Sequence, residues 1–427
     1  MKIKSALTLL TYRGLTTLVA PLGAMFIAYK KRRDAPYGKR IFELLGFYKE
    51  TASNCIWFHG ASVGEINALK PLVTEYVTTH LGCEVVVTTM TTTGAQAAES
   101  LKKLGVKVVF SPLDSPLAVN GFLNSFNPKL LVIIDTELWP NMLSLTHKRG
   151  CKIAIVNARM QEKNCQSYLK HQTIVKDLIA SNLDKVMCIS HSDLMRFEKI
   201  GVNKSNLLLI GNIKYDLKPR ENLFNEARAI KTNLLGDKVL GAISIHDGEE
   251  KTVIDAYLKA KEQVKDLKLV FVPRHMTTAQ LARDYLESLK VSYVRKSTLK
   301  DLNTFKGDIL IGDTLGEIET YFGLCDLVFM GGSFVDIGGH NPLEPGFFSL
   351  PIITGPDYHN FKEQFDKLIE TGGAYQADDE ELFARYIVKL ITDKELLKKT
   401  GIKALDLQQQ GRGAVQRAIA QMDLLLK

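Results

Sequence analysis

Residues 331–345 read Gly331-Gly332-Ser333-Phe334-Val335-Asp336-Ile337-Gly338-Gly339-His340-Asn341-Pro342-Leu343-Glu344-Pro345 and follow directly on Asp326-Leu327-Val328-Phe329-Met330. The apolar run reads as a buried strand, the glycines as a loop and Pro342 as the first turn of a helix, a junction of α/β type. Four glycines let the backbone approach a ligand with its N–H groups exposed, which suits a phosphate beside a helix start. Glu344, one turn in, is placed to bond vicinal ribose hydroxyls. Glycines alone would signal no more than a turn. The clustered His340, Asn341 and Glu344 favour a ligand.

Outward from this junction, short apolar strands alternate with amphipathic helical stretches, the pattern of parallel sheets covered on both faces. Strands are expected at 55–58, 84–89, 106–110, 130–135, 153–157, 186–189 and 207–210, filling one Rossmann-like domain. Leu217-Lys218-Pro219-Arg220 reads as a linker, and a second series follows at 239–245, 267–272, 292–295, 309–311, 327–330 and 351–353. The expected fold class is α/β, two doubly wound domains facing a central cleft, the architecture called GT-B. The expected division is 1–33 as an anchor with a basic collar, 34–216 and 217–402 as the two domains, and 403–427 as a C-terminal helix packing back on the first.

A chain of 427 residues with 45% hydrophobic and 24% charged residues is ordinary for a globular protein of two or three domains, with no internal repeat or low-complexity tract. The net charge of +8 suits an anionic membrane and anionic ligands, and no RNA- or DNA-binding motif accompanies it. Cys55, Cys83, Cys151, Cys165, Cys188 and Cys325 are scattered, so buried free thiols are expected rather than a disulfide framework or a zinc site. From Gly14 to Tyr29 the chain is nearly all apolar, with Lys2, Lys4 and Arg13 before it and Lys30-Lys31-Arg32-Arg33 after it. A basic cluster behind the apolar run argues against a cleaved signal and for an uncleaved anchor or interfacial helix on anionic cytoplasmic headgroups.

Open parallel sheets bind ligands at the carboxyl ends of their strands, and the polar motifs fall there. In the first domain these are His59-Gly60-Ala61-Ser62-Val63-Gly64-Glu65, Asp135-Thr136-Glu137-Leu138-Trp139-Pro140-Asn141 and Gly211-Asn212-Ile213-Lys214-Tyr215-Asp216. In the second they are Ser244-Ile245-His246-Asp247-Gly248-Glu249-Glu250, Pro273-Arg274-His275 and Asp313-Thr314-Leu315-Gly316-Glu317. Each has a plain reading: Glu65 as a helix-start acid, Glu137 beside a packed Trp139, Lys214 as a solvated lysine, the rest as loops and caps. Arg274, planar and permanently charged, suits phosphate oxygens.

Taken together, and with the 331–345 segment, these motifs resemble the Kdo transferases, which move 3-deoxy-D-manno-octulosonic acid (Kdo) from CMP-Kdo onto lipid A precursors in lipopolysaccharide biosynthesis of Gram-negative bacteria. The resemblance covers essentially the whole chain. It implies an acceptor-binding first domain, a CMP-sugar-binding second domain and a location on the cytoplasmic face of the inner membrane. It makes Glu65 the general base, Glu137 a support of the acceptor site or transition state, and Lys214 a transition-state stabiliser. It places Glu43, Ser62 and Gly64 on the acceptor side. Ser244, His246, Pro273, Arg274, His275, Leu315, Gly316, Glu317, Gly332, Ser333, Asn341, Pro342, Leu343 and Glu344 fall on the CMP side.

The implied reaction inverts the anomeric carbon in one step, with CMP-Kdo as donor substrate and no cofactor. No metal is expected, because no Asp-x-Asp element appears and a monophosphate leaving group can be met by Arg274, His246, Lys214 and helix N-termini. Two departures stand out. The family's Glu-Arg-x-Gly element is Glu43-Leu44-Leu45-Gly46 here, without the arginine, and Ser-Thr-His is Ser244-Ile245-His246. Another GT-B enzyme such as a nucleotide-sugar 2-epimerase is the nearest alternative. A NAD-dependent oxidoreductase is disfavoured because the first strand-to-helix turn lacks Gly-x-Gly-x-x-Gly. A membrane-anchored nucleotide sensor would bind CMP without needing Glu65.

Overall fold

The structure, a computed structural model, describes residues 3–30, 40, 42–216 and 219–427. The collar residues Lys31-Arg32-Arg33 and the linker residues Leu217 and Lys218 lie outside these. The chain divides into two compact units, 1–216 with 411–427, and 217–410.

Unit 1 is built on seven parallel strands, β1 (Ile56–His59), β2 (Val85–Thr89), β3 (Lys107–Phe110), β4 (Leu130–Ile134), β5 (Lys152–Ala158), β6 (Lys185–Cys188) and β7 (Leu207–Leu209), in the order β3-β2-β1-β4-β5-β6-β7. Continuous Val, Ile and Leu runs suit strands buried on both faces by crossover helices, and β1, β2 and β4 are buried along their whole length. The sheet reverses its winding beside β1, where Ile56 pairs with Val85 on one side and Leu130 on the other.

Unit 2 repeats the plan with β8 (Val239–Ile245), β9 (Lys268–Pro273), β10 (Val294–Arg295), β11 (Ile309–Ile311), β12 (Leu327–Met330), β13 (Ile352–Thr354) and β14 (Ala374–Gln376), ordered β10-β11-β9-β8-β12-β13-β14. Its reversal lies between β8 and β12. The strand β14 has no counterpart in the sequence reading, because three residues flanked by Gly373 and a polar turn carry little apolar signal. At the end of β8 the register shifts between Ile243 and Ile245, and Ser244 is left-handed with φ +61. That bulge turns the outgoing loop.

The C-terminal stretch expected as one helix from 403 is two: Lys394–Gln410 belongs to unit 2 and Ala414–Leu426 to unit 1. Gly413, at φ +86, makes the break. The last helix is tied to unit 1 by Asp216, whose carboxylate accepts the N–H groups of Gly413 and Val415, and by Arg417, which donates to the Ile210 carbonyl.

The N-terminal helix Ile3–Lys30 lies along unit 1. Ser5, Leu9, Ala20 and Ala24 are buried at helical spacing, Tyr12 donates to Asp114 at 2.8 Å, and Arg13 donates to Asn141 at 3.3 Å and Ser144 at 3.2 Å. Its other face is apolar and exposed, Leu18 by 73% and Leu22 by 66%. The six cysteines are free thiols, and burial lifts most of them well above their ordinary pKa.

Candidate active site

In unit 1 the motif after β1 begins in the core. His59 is fully buried, its Nδ1 2.8 Å from the Thr88 hydroxyl, which also accepts from Trp57. Burial holds its pKa down to about 4, so it is a neutral core histidine. The chain then turns through Gly60, where an added Cβ would lie 3.2 Å from Ile134 and 3.3 Å from the Glu65 Cβ. The end of β4 and the Glu65 turn are therefore packed together.

The helix Val63–Thr79 opens with a capping box. Ser62 Oγ accepts from Glu65 N–H at 3.3 Å and donates to Glu65 Oε1 at 3.0 Å, while Ala61 N–H donates to Oε2 at 2.6 Å. This is the structural role a first-turn acid can play. It also fixes the carboxylate at the switch point, with lone pairs left for a further donor.

Glu137 follows β4 on the other side of that point. Its Oε2 accepts from Trp139 Nε1 at 2.7 Å. Burial raises its pKa above the ordinary carboxylate range, Trp139 opposes this, and the charges of Glu65 and Asp135 push it further up. Glu65 and Glu137 thus share one electrostatic site.

Lys214 sits half-buried on the single turn Ile213–Tyr215, which packs on the Glu65 helix. A hydrogen-bond chain ties this turn, through Ile213, to the Glu137 loop. Asp135 accepts from Asn157 at 2.8 Å and Arg159 at 2.8 Å, and Asn157 in turn accepts from the Ile213 N–H at 3.2 Å. Both Asp135 and Asn157 are left-handed, at φ +59. Such strain persists where the surroundings over-determine it.

Glu43 lies apart from these, at the end of β3. Arg40 grips it with two bonds of 2.8 and 2.9 Å, and Phe110 N–H donates to it at 2.8 Å. The position after Glu43 has no arginine, and Glu43 is paired instead with Arg40, at i,i+3 spacing.

In unit 2 the loops leaving β8 and β12 meet closely: a Cβ on Gly331 would lie 2.5 Å from the Ser244 carbonyl. His246 and His340 stack with centroids 5.1 Å apart and their Nε2 atoms 2.8 Å apart. Burial lowers both pKa values, His340 to about 4, with the Arg274 and His275 charges adding to it. Arg274 is exposed and its guanidinium has no hydrogen bond or ion pair among the described residues. His275 caps the helix Met276–Ser288 without a side-chain bond.

Glu344 stands in the five-residue helix Leu343–Phe347, which is shorter than the sequence suggests and has Pro342 as its N-cap. Burial lifts its pKa to about 7, with Asn341 and Arg274 pulling down and Glu319 pushing up. The Leu315-Gly316-Glu317 loop is separately braced: Arg220 donates to the Gly316 carbonyl at 2.6 Å, and Glu317 accepts from Thr314 at 2.5 Å and Lys296 at 3.2 Å. Leu315 at its tip is 89% exposed.

The sequence reading gave no role to Glu249, whose carboxylate accepts the N–H groups of Gly332 and Ser333 that were expected to face a ligand. Its signal was a second acid, three residues after His246, in the turn behind a strand.

Two doubly wound units, each with polar groups gathered at its sheet reversal, define the GT-B class. The same fold is found in the UDP-GlcNAc 2-epimerase of Neisseria meningitidis bound to UDP-GlcNAc (11% identity, 86% of this chain and 99% of that one, TM-score 0.56). It recurs in a glycosyltransferase from Rickettsia africae (14% identity, 89% of this chain and all of that one, TM-score 0.53). At these identities the likeness is one of fold. Residues 39–217 match the family of 3-deoxy-D-manno-octulosonic-acid transferases, or kdotransferases. The 3-deoxy-D-manno-octulosonic acid transferase of Haemophilus influenzae is 30% identical over 416 residues, 96% of each chain. The chain belongs to the Kdo transferase family and is a glycosyltransferase.

Proposed function

We propose that the protein transfers Kdo from CMP-Kdo to a sugar hydroxyl of a tetraacylated, bisphosphorylated lipid A precursor, with inversion and without a metal. The observation that carries this is the Glu65–Glu137 carboxylate pair at the switch point of unit 1, in a chain of this family. Glu65 accepts the proton of the acceptor hydroxyl as its oxygen attacks the Kdo anomeric carbon, and the bond from that carbon to the CMP phosphate breaks. One bond forms and one breaks on opposite faces, so a single base suffices. Lys214 meets the developing negative charge.

In unit 2, Arg274 and the His246–His340 pair take the anionic groups of the donor. Ser244, Pro273, His275, Gly332, Ser333, Pro342 and Leu343 shape that pocket, and Asn341 with Glu344 takes the ribose. Leu315, Gly316 and Glu317 border the base. Ser62 and Gly64 let the acceptor reach Glu65, and Glu43, neutralised by Arg40, borders that side.

We place the protein on the cytoplasmic face of the inner membrane, held by the helix Ile3–Lys30 and the basic residues after it. The docking of that helix along unit 1 favours an interfacial helix over a span.

The test is to incubate purified protein with CMP-Kdo and the tetraacylated precursor, with and without EDTA, and to follow the lipid by mass spectrometry. A gain of one or more Kdo units, unaffected by EDTA, is expected. No product with a verified donor would overturn the assignment.

A further inference from the structure

Glu249 is fully buried, and its two oxygens are surrounded by backbone: Oε2 accepts from His246 N–H at 3.0 Å and Gly332 N–H at 2.6 Å, and Oε1 from Ser333 N–H at 2.9 Å and Phe334 N–H at 2.8 Å. Among the described residues it has no ion-pair partner. A carboxylate removed from water needs compensation, and here converging N–H groups supply all of it, as an anion-binding nest does for a ligand. These donors come from the loops leaving β8 and β12, the neighbouring strands that flank the reversal of unit 2. An α/β sheet ordinarily receives the charged part of its ligand there.

Two consequences follow. First, the loop amides that a glycine-rich sequence would offer to a phosphate are already taken, and by a negative charge that repels another anion. Second, the groups left for the donor rest on the residues Glu249 holds. It bonds the backbone of His246 itself. Gly332, which it also bonds, is the floor under both imidazoles: a Cβ there would lie 3.3 Å from His340 Cδ2 and 3.4 Å from His246 Cδ2.

We propose that Glu249 is a positioning residue: it fills the nest of the glycine-rich loop from within and so sets the His246–His340 pair, which with Arg274 receives the anionic group of the sugar nucleotide. This rests on the donor reading above for the identity of the ligand, but the coupling of Glu249 to the imidazoles does not depend on it.

The experiment uses full-length protein with selective ¹⁵N labelling of glycine, serine, phenylalanine and histidine, observed by NMR, with CMP as probe. In the wild type, CMP should shift the His246 and His340 ring nitrogens and leave the Gly332, Ser333 and Phe334 amides near their carboxylate-bonded positions. Large CMP shifts confined to those amides would overturn the proposal.

In Glu249→Gln, an amide N–H faces backbone donors. The imidazole signals should move without any ligand, and CMP affinity should fall about tenfold. The double variant with His340→Ala should bind CMP no worse than the weaker single variant, because both act on one pair. Unchanged imidazole signals, or additive losses, would overturn it. If Glu249→Gln fails to fold, the wild-type titration still decides. If wild-type protein binds no CMP, the donor reading falls, and the ligand-free imidazole shifts of Glu249→Gln alone decide the positioning role.

Discussion

Glu65 and Glu137 leave neighbouring strands on the two sides of the unit 1 switch point, and the charge of Glu65 is among the causes that hold the Glu137 carboxyl above its ordinary range, after burial and the opposing Trp139 bond. A substitution at Glu65 should therefore be felt at Glu137.

Glu65 serves both a capping box and the proposed proton transfer, and two substitutions separate them. Glutamine can still bond the N-cap backbone, so Glu65→Gln should keep wild-type stability and CMP affinity while transfer falls at least about 100-fold, the range of general-base contributions. Glu65→Ala should lose transfer equally and about 1 kcal/mol of stability besides. In Glu65→Gln the Glu137 pKa should drop, read by ¹³C NMR of labelled glutamate. Retained turnover in Glu65→Gln would remove Glu65 as the base.

The Glu344 carboxyl carries a pH signature. Its pKa in the folded protein is raised to about 7, chiefly by burial, so the folded protein holds this proton more tightly than the unfolded chain does. The resulting stability is complete below the ordinary carboxylate range and is lost as the pH rises through about 7. At about 1.4 kcal/mol per pKa unit, discounted because the residue is half-buried, the loss is about 2 kcal/mol. Glu344→Gln should flatten the wild-type decline in thermal stability over this window. Cytidine, which has no phosphate to titrate, should bind the wild type more tightly as the pH rises through it and the variant equally throughout. A decline that persists unchanged in the variant would assign it to another group.

What the sequence could tell was set by how local each interaction is. The strand runs around Val86, Leu131 and Val328 were legible because a parallel strand buried on both faces is apolar without interruption. The positions of Glu65 and Glu137 followed from that, as the first acid beyond β1 and the second beyond β4, after Asp135. The loop contacts of Glu249 were illegible because those partners lie 83 to 85 residues away, at Gly332, Ser333 and Phe334, and only its bond to the His246 N–H is local. The loop glycines announced a nest but not that the chain fills it. The break at Gly413 was visible as Gly411-Arg412-Gly413, but helical periodicity on both sides masked it, and the Asp216 and Arg417 contacts are what fix the last helix to unit 1.

Arg40 and Glu43 should behave as one unit in stability. Both side chains are largely buried, at 23% and 15% exposure, with two bonds between them. Removing one partner leaves the other charge poorly compensated. Arg40→Met should cost roughly 1–3 kcal/mol in chemical denaturation, and adding Glu43→Gln should recover part of it. Additive costs in the double variant would show the pair to be independent.

The helix Ile3–Lys30 decides how the protein meets a membrane. A bilayer core needs about 20 apolar residues in a spanning helix, and 28 are helical here, so length alone permits a span. Tyr12 and Arg13, however, are bonded to Asp114, Asn141 and Ser144 of unit 1, and the buried positions run from Ser5 to Ala24. A span would have to break those bonds and strip unit 1 of its cover. Lying flat keeps them and gives Leu18, Leu22 and Phe26 to the acyl chains. A cysteine placed at Leu10, off that face, should then react with a membrane-impermeant reagent added from the cytoplasmic side of inverted vesicles, while a spin label at Leu22 reports immersion in hydrocarbon. Reaction of Leu10→Cys from the opposite side only would establish a span. Removal of residues 1–33 should release the protein from vesicles, and retention would place the membrane contact on another surface of unit 1.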